Sequence, residues 1–276
     1  MLSPDYLQRI ADGAEEIASE LHSYIIRRIV DRMMIRIGRG EEYLFTSADR
    51  WQIEIMQDSG ALLEDIIPEI AKYTKREQKE IRAAMEEAGI KAVEQDDKIY
   101  EAAGLSPVPL MESPQLIRLM QRNYEATLGE WNNYTRTTAD AAQRLFINSC
   151  DTAYHKVTSG AVSYTQAVRE AVDEVVSGGV YVDYTNAETG KTHRDTIETA
   201  TARAVRTGVG QATGAISLAR MNEMEWDIIL VSAHLGARTG DGGENPGNHM
   251  WWQGKFYSRS GKDKRFPPFS VTGYGT

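Results

Sequence analysis

The sequence predicts an α+β protein: an elongated, mostly helical N-terminal region followed by a small C-terminal α/β module with a β-hairpin and a few short strands. Three observations carry this expectation. From Ser3 to about Ser177 apolar residues recur every three or four positions, the period of helices with a buried face. At Gly178-Gly179 the period changes to two over "VYVDYTNAETGKTHRDT", with turn residues in its middle, which predicts a hairpin. Beyond that, the short apolar runs "WDIILVSAH" and "KFYSRS" flank a glycine-rich stretch and predict two more strands. The expected regions are 1–104, helical; 105–113, a linker; 114–177, a long-helix region; and 178–276, the C-terminal module.

Ser3 and Pro4 supply a cap and a first-turn proline for a long helix. Leu7, Ile10, Ala14, Ile17, Leu21, Ile25, Val30 and Met33 keep its period, Gly13 interrupts it and Gly38 stops it. "TSADRWQIEIMQDSG" begins a second helix. "ALLEDIIPEIAKYT" reads as a third, bent near Pro68. Thr74 and Glu77 have capping-box spacing and open a fourth. "LSPVPLMESP" holds three prolines and reads as the linker. Ser113-Pro114 then starts a helix to about His155, about 60 Å long if unbroken. Ser163 and Gln166 cap another helix, and Asp195 with Glu198 caps "TIETATARAVRTGVGQATGAISLARMNEM". The small residues of that last helix suit close packing against neighbours.

Composition narrows the function. Hydrophobic residues make up 41% and charged residues 26% of 276, so the chain can build real cores. No apolar run approaches a membrane span, and "MLSPDYLQRI" has no secretory pattern. The single cysteine, Cys150, excludes an intrachain disulfide and fits a reducing compartment, or a particle assembled inside one; its helical spacing predicts burial. A net charge of −9 argues against general polyanion binding. Lys255 to Arg265 is the exception, with five cations against Asp263, and marks a candidate local contact with DNA or an acidic partner.

The stretch "HLGARTGDGGENPGNHMWWQGKFY", His234 to Tyr257, concentrates the chemically interesting side chains. His234 and His249 lack a convincing third ligand, so no metal or other cofactor is expected. The same histidines, with Arg238 on a phosphate, could serve a nuclease-like phosphodiesterase as acid and base. The alternative is structural: these side chains, with Gln253, tie a glycine-rich loop to strands through hydrogen bonds. That reading expects buried partners around His249. Trp251 and Trp252, read as strand residues, would face opposite sides, one entering the core. The glycines follow neither the phosphate-loop nor the dinucleotide order, and no serine-hydrolase or zinc-protease motif is present. His22, His155 and His193 show no pairing in the sequence.

The order "ARAVRTGVGQATGAISLARMNEMEWDIILVSAHLGAR…NHMWWQGKFYS" resembles the C-terminal module of tailed-phage minor head proteins related to the Mu F head-morphogenesis protein. Arg206-Thr207 matches its helix motif, Trp226 its tryptophan strand, Arg238 and His249 its middle, and Gly254 the glycine before its last strand; Trp252 and Gln253 lie within the same motif. Upstream, "YLQRIADGAEEIASELHSYIIRRIVDRM" and "ADRWQIEIMQDSGALLEDI" are similar to the phage minor capsid protein 2 family, so the resemblance spans essentially the whole chain. It implies a non-enzymatic structural protein of the phage head, of low copy number and associated with the portal, acting in head assembly or DNA delivery. Its partners would be the portal and other head proteins. The family's module continues into a cysteine-bearing segment, whereas this sequence ends at "VTGYGT"; against the resemblance, either the chain is shortened or its last strand is missing. Separately, the first helix carries Ile25, Ile26, Ile29, Val30, Met33, Met34, Ile35 and Ile37, more than one stripe can bury, so it needs a second partner: self-association or the portal protein, or else the same chain folded back on it.

Overall fold

A computed structural model describes residues 2–41, 44–185, 190–231, 233, 237, 239 and 248–269. The α+β expectation holds. The helices are α1 (Pro4–Arg9), α2 (Asp12–Ile37), α3 (Ala48–Ala102), α4 (Pro114–Thr158), α5 (Tyr164–Gly178), α6 (Ile197–Glu223) and the one-turn α7 (His249–Trp252). The strands are β1 (Tyr181–Thr185), β2 (Thr192–Thr196), β3 (Ile228–Leu230) and β4 (Phe256–Ser258), paired antiparallel as β1–β2 and β3–β4. Two compact units, each discontinuous in sequence, contain them. The larger comprises Ser3–Ala88 with Met120–Ala212, and the smaller Met1–Leu2, Gly89–Leu119 and Thr213–Thr276.

In the larger unit, α2 buries one stripe: Ala18, Leu21, Ile25, Ile29, Met33 and Ile37, spaced three or four residues apart. Trp51, Ile55, Leu62, Ile66 and Ile70 of α3 and Phe146 and Cys150 of α4 join the same core. The surplus apolar residues of α2 divide. Ile26 and Val30 pack against that core, while Met34 and Ile35 stay 44% and 42% exposed. Most of the apolar surface that suggested a partner is therefore covered within the chain. Ile29 and Met33 are core residues, so changing them would probe folding rather than association. Along α4, the side chains of residues 128–135 lie outside the described residues. Cys150 is buried, and burial pushes its thiol up, as for an inert packing residue.

Several boundaries differ from the sequence reading. The first helix breaks at Ile10–Ala11 rather than at Gly13, which lies inside α2. Ser3 caps α1 by accepting from the Tyr6 amide at 3.2 Å. The three helices expected between Ser47 and Ala102 are the single α3, capped by Ser47, whose hydroxyl accepts from the Arg50 amide at 3.3 Å. The helix runs on through Pro68, which is solvent-exposed, while Leu62, Ile66 and Ile70 keep the opposite face in the core across it. Thr74 is no cap, since its hydroxyl donates to the Ile70 carbonyl at 2.7 Å within the helix. Ser163 caps α5 as expected, accepting from the Gln166 amide at 3.3 Å, but the Gln166 side chain turns forward to Glu170. Thr196, not Asp195, caps α6, its hydroxyl accepting from the Thr199 amide at 3.3 Å.

One tie in this unit joins residues far apart in sequence. The Val180 amide donates to His22 Nε2 at 2.8 Å, so that nitrogen must be the acceptor and Nδ1 carries the ring proton. Nδ1 donates to Glu198 Oε1 at 2.5 Å. His22 thereby joins α2, the start of the β1–β2 hairpin and the first turn of α6. Burial raises the Glu198 carboxyl, but hydrogen bonds led by that from His22 outweigh it and hold it below its ordinary value. Gly179 lies against this histidine with φ +74°, and a Cβ there would sit 2.9 Å from the ring. Gly179→Ala is expected to lower stability by about 1–3 kcal/mol in chemical denaturation, through positive φ and this clash together. His22→Ala should not rescue it fully, because the backbone strain remains.

Candidate functional site

The module residues singled out by the sequence fall in both compact units. Arg206 and Thr207 lie on α6 in the larger, half-buried and exposed respectively. Next to them Gly208 explains one small residue: a Cβ there would meet the Thr127 side chain of α4 at 3.0 Å. Trp226, His249, Trp252, Gln253 and Gly254 belong to the smaller unit. His234 and Arg238 lie outside the described residues.

The smaller unit is organised around the β3–β4 ladder, whose partners are Ile228↔Ser258, Ile229↔Tyr257 and Leu230↔Phe256. Trp226 sits just before β3 rather than in it; its indole N–H donates to the Ile228 carbonyl at 3.0 Å, and its ring meets Tyr100 edge-on at 5.8 Å. Burial, aided by Asp96 and Asp97, pushes the Tyr100 phenol up to about 12. Asp227 fastens the far end of the ladder. Its carboxylate accepts from the Ser258 hydroxyl at 2.5 Å and the Ser260 amide at 2.7 Å, and these bonds hold it below its ordinary value.

The tandem tryptophans are not strand residues. Asn248 is buried and caps α7, its side chain accepting from the Trp251 amide at 3.2 Å, so both tryptophans ride a single helical turn. One-in, one-out survives through helical rotation instead of strand alternation. Trp252 is 4% exposed and lies 5.8 Å from Tyr257, whereas Trp251 is 40% exposed. His249 is exposed at the first position of α7, which corrects the expectation of buried partners around it. The buried tie in this segment is Asn248. Gln253 is the half-buried C-cap of α7, and Gly254, at φ +68°, turns the chain into β4 while its amide donates to the Val231 carbonyl at 2.8 Å.

The cations from Lys255 to Arg265 are largely engaged. Arg265 grips Asp263 at 2.7 and 3.0 Å, and that guanidinium holds the Asp263 carboxyl down at about 2. Arg259 donates to the Asn222 side chain, Lys264 to the Gly261 carbonyl at 3.0 Å, and the Lys255 ammonium stands 3.8 Å from the Trp251 ring centroid.

Two residues matter here that the sequence did not single out. One is His22, described above. The other is Arg220 near the end of α6, whose side chain is fully buried. It lies 3.0 Å from Asp97 and 2.9 Å from Glu223, and it donates to the Val108 carbonyl. Glu223 also accepts from the Ser113 hydroxyl at 2.6 Å. This cluster joins the end of α3, the proline-rich segment and α6 inside the smaller unit. Among the described residues, no group of three His, Cys, Asp or Glu side chains could hold a metal ion. No helix among them is long and apolar enough to cross a membrane.

Long helices built around an apolar core, with two small antiparallel two-stranded sheets, make this an α+β protein. The family model for phage minor capsid protein 2 matches residues 2–276, and the chain belongs to that family: it is a structural minor capsid protein of a bacteriophage. No curated protein and no solved structure matches the chain.

Proposed function

We propose that this chain is built into the phage head in a few copies beside the portal, where it acts in head assembly or DNA delivery and carries out no hydrolysis. The observation supporting this most strongly is the family match over 2–276, essentially the whole length. The polar chemistry of the smaller unit agrees with it: Asp227, Asn248 and Arg220 are each used up in holding local structure. During assembly the protein would reside in the host cytoplasm, and afterwards in the virion. Self-association through the N-terminal helices would have to use what remains exposed there, such as Met34 and Ile35 on α2 and Ile53 and Met56 on α3.

The test is composition. Heads purified by density gradient should contain the chain at a small, fixed ratio to the shell protein, and heads assembled without portal should lack it. Protein found only in the lysate, never in particles, would overturn the proposal. Portal-free heads that contain it at full level would remove the portal part.

A further inference from the structure

The β3–β4 sheet has two unlike faces. Tyr257, opposite Ile229, is buried against Trp252 and Phe269. One rung on, Leu230 and Phe256 stand opposite each other, and strand alternation sends them to the other face. There they remain 51% and 49% exposed. The Phe266 ring, 5.8 Å from Phe256, extends this apolar surface. The same end of the ladder continues into Lys255 and Gly254, which bond to Val231 at 3.1 and 2.8 Å, and so to Trp251, the partner of the Lys255 ammonium. An apolar rung left in water beside an aromatic–cation pair is the composition of an interface centre rather than of an ordinary surface.

Charge indicates what covers it. Lys255 to Arg265 carries five cations and one anion, a net +4, in a chain of net −9. We propose that this face docks an acidic segment of another head protein, which lays an apolar side chain across Leu230 and Phe256 and sets a carboxylate near Lys255. Nucleic acid fits less well. The Trp251 ring that a base would stack on already carries an ammonium, and the rest of the chain repels a long polyanion more than a short acidic segment. A two-fold pairing of this face with itself would bring two such cationic segments together. The proposal rests on the capsid reading only for the source of the partner.

The probe is heads purified from a phage carrying a stop codon early in this gene, to which full-length protein is added back. Lys255→Glu and Phe256→Ser, each checked for an unchanged circular dichroism spectrum, should bind about tenfold more weakly than the unaltered chain, as expected for central interface positions. Rising salt should weaken unaltered protein more than Lys255→Glu. Binding by both variants at the unaltered level overturns this proposal and leaves the capsid reading standing. Failure of unaltered protein to bind these heads overturns this proposal, while its presence in heads of the unaltered phage keeps the capsid reading standing. Binding of a duplex or single-stranded oligonucleotide that Lys255→Glu abolishes would make the face a nucleic-acid surface. A dimer in light scattering that Phe256→Ser dissolves would assign it to a second copy. Either result replaces the proposed occupant.

Discussion

Replacing Arg220 with alanine is expected to cost about 3–5 kcal/mol of unfolding free energy, because it leaves buried charge without its counter-charge. The guanidinium is wholly buried, and Asp97, Glu223 and the Val108 carbonyl all turn towards it. Burial already raises the Asp97 carboxyl against the opposing pull of Arg220. Without the arginine, that carboxyl should rise further. A carboxyl whose folded value lies above its unfolded value contributes full stability at low pH and loses it as pH climbs through the folded value. The deficit of Arg220→Ala should therefore be smaller at pH 5 than at pH 8 in urea titrations followed by circular dichroism. Adding Asp97→Asn and Glu223→Gln should recover part of the loss, since the stranded charges are then gone. A deficit under about 1 kcal/mol at both pH values would mean that solvent replaces the guanidinium, contrary to its burial.

What the sequence revealed was what is local. The buried stripe of α2, the caps at Ser3 and Ser163, the helix start at Pro114 and the β1–β2 hairpin rest on spacings within a few residues, and all are present. The breaks expected after Gly60 and at Thr74 are absent because α3 keeps a buried face through Leu62, Ile66 and Ile70 and on to Ile81 and Met85. Trp251 and Trp252 misled because strand alternation was assumed, whereas Asn248 caps a helical turn beneath them. His22 was invisible as a tie: its partners Val180 and Glu198 lie 158 and 176 residues away. Arg220 and Asp97, 123 residues apart, were hidden in the same way. Within the candidate site, the sequence indicated the segment and the glycine turn at Gly254. It did not indicate that Asn248, rather than His249, is the buried polar group, because burial depends on how α7 rests on Tyr257.

Glu77 leads to the other large expected effect, a loss of stability at mildly alkaline pH that one substitution removes. The sequence assigned Glu77 to a capping box, but in α3 it is mid-helix and fully buried. Neither carboxylate oxygen meets a hydrogen-bond donor among the described residues. Burial pushes the carboxyl up to about 8 from its ordinary 4.5, with only Arg76 opposing. Below 4.5 the group is protonated whether the chain is folded or not, and the fold keeps its full stability. Between 4.5 and 8 the folded state holds a proton that the unfolded state has released, so stability falls as pH rises; above 8 the loss levels off. A shift of this size corresponds to a loss on the order of 3–5 kcal/mol across that window. Glu77→Gln keeps the shape and cannot ionise, so it should match the natural chain near pH 5 and exceed it by a few kcal/mol at pH 8.5. Other groups contribute to the pH dependence of both proteins, which makes the difference between them the quantity to measure. Urea unfolding at pH 5, 7 and 8.5 gives it directly. Two stability curves that stay parallel over that range would show that water or a cation reaches the carboxylate, and that α3 is not dry where Glu77 sits.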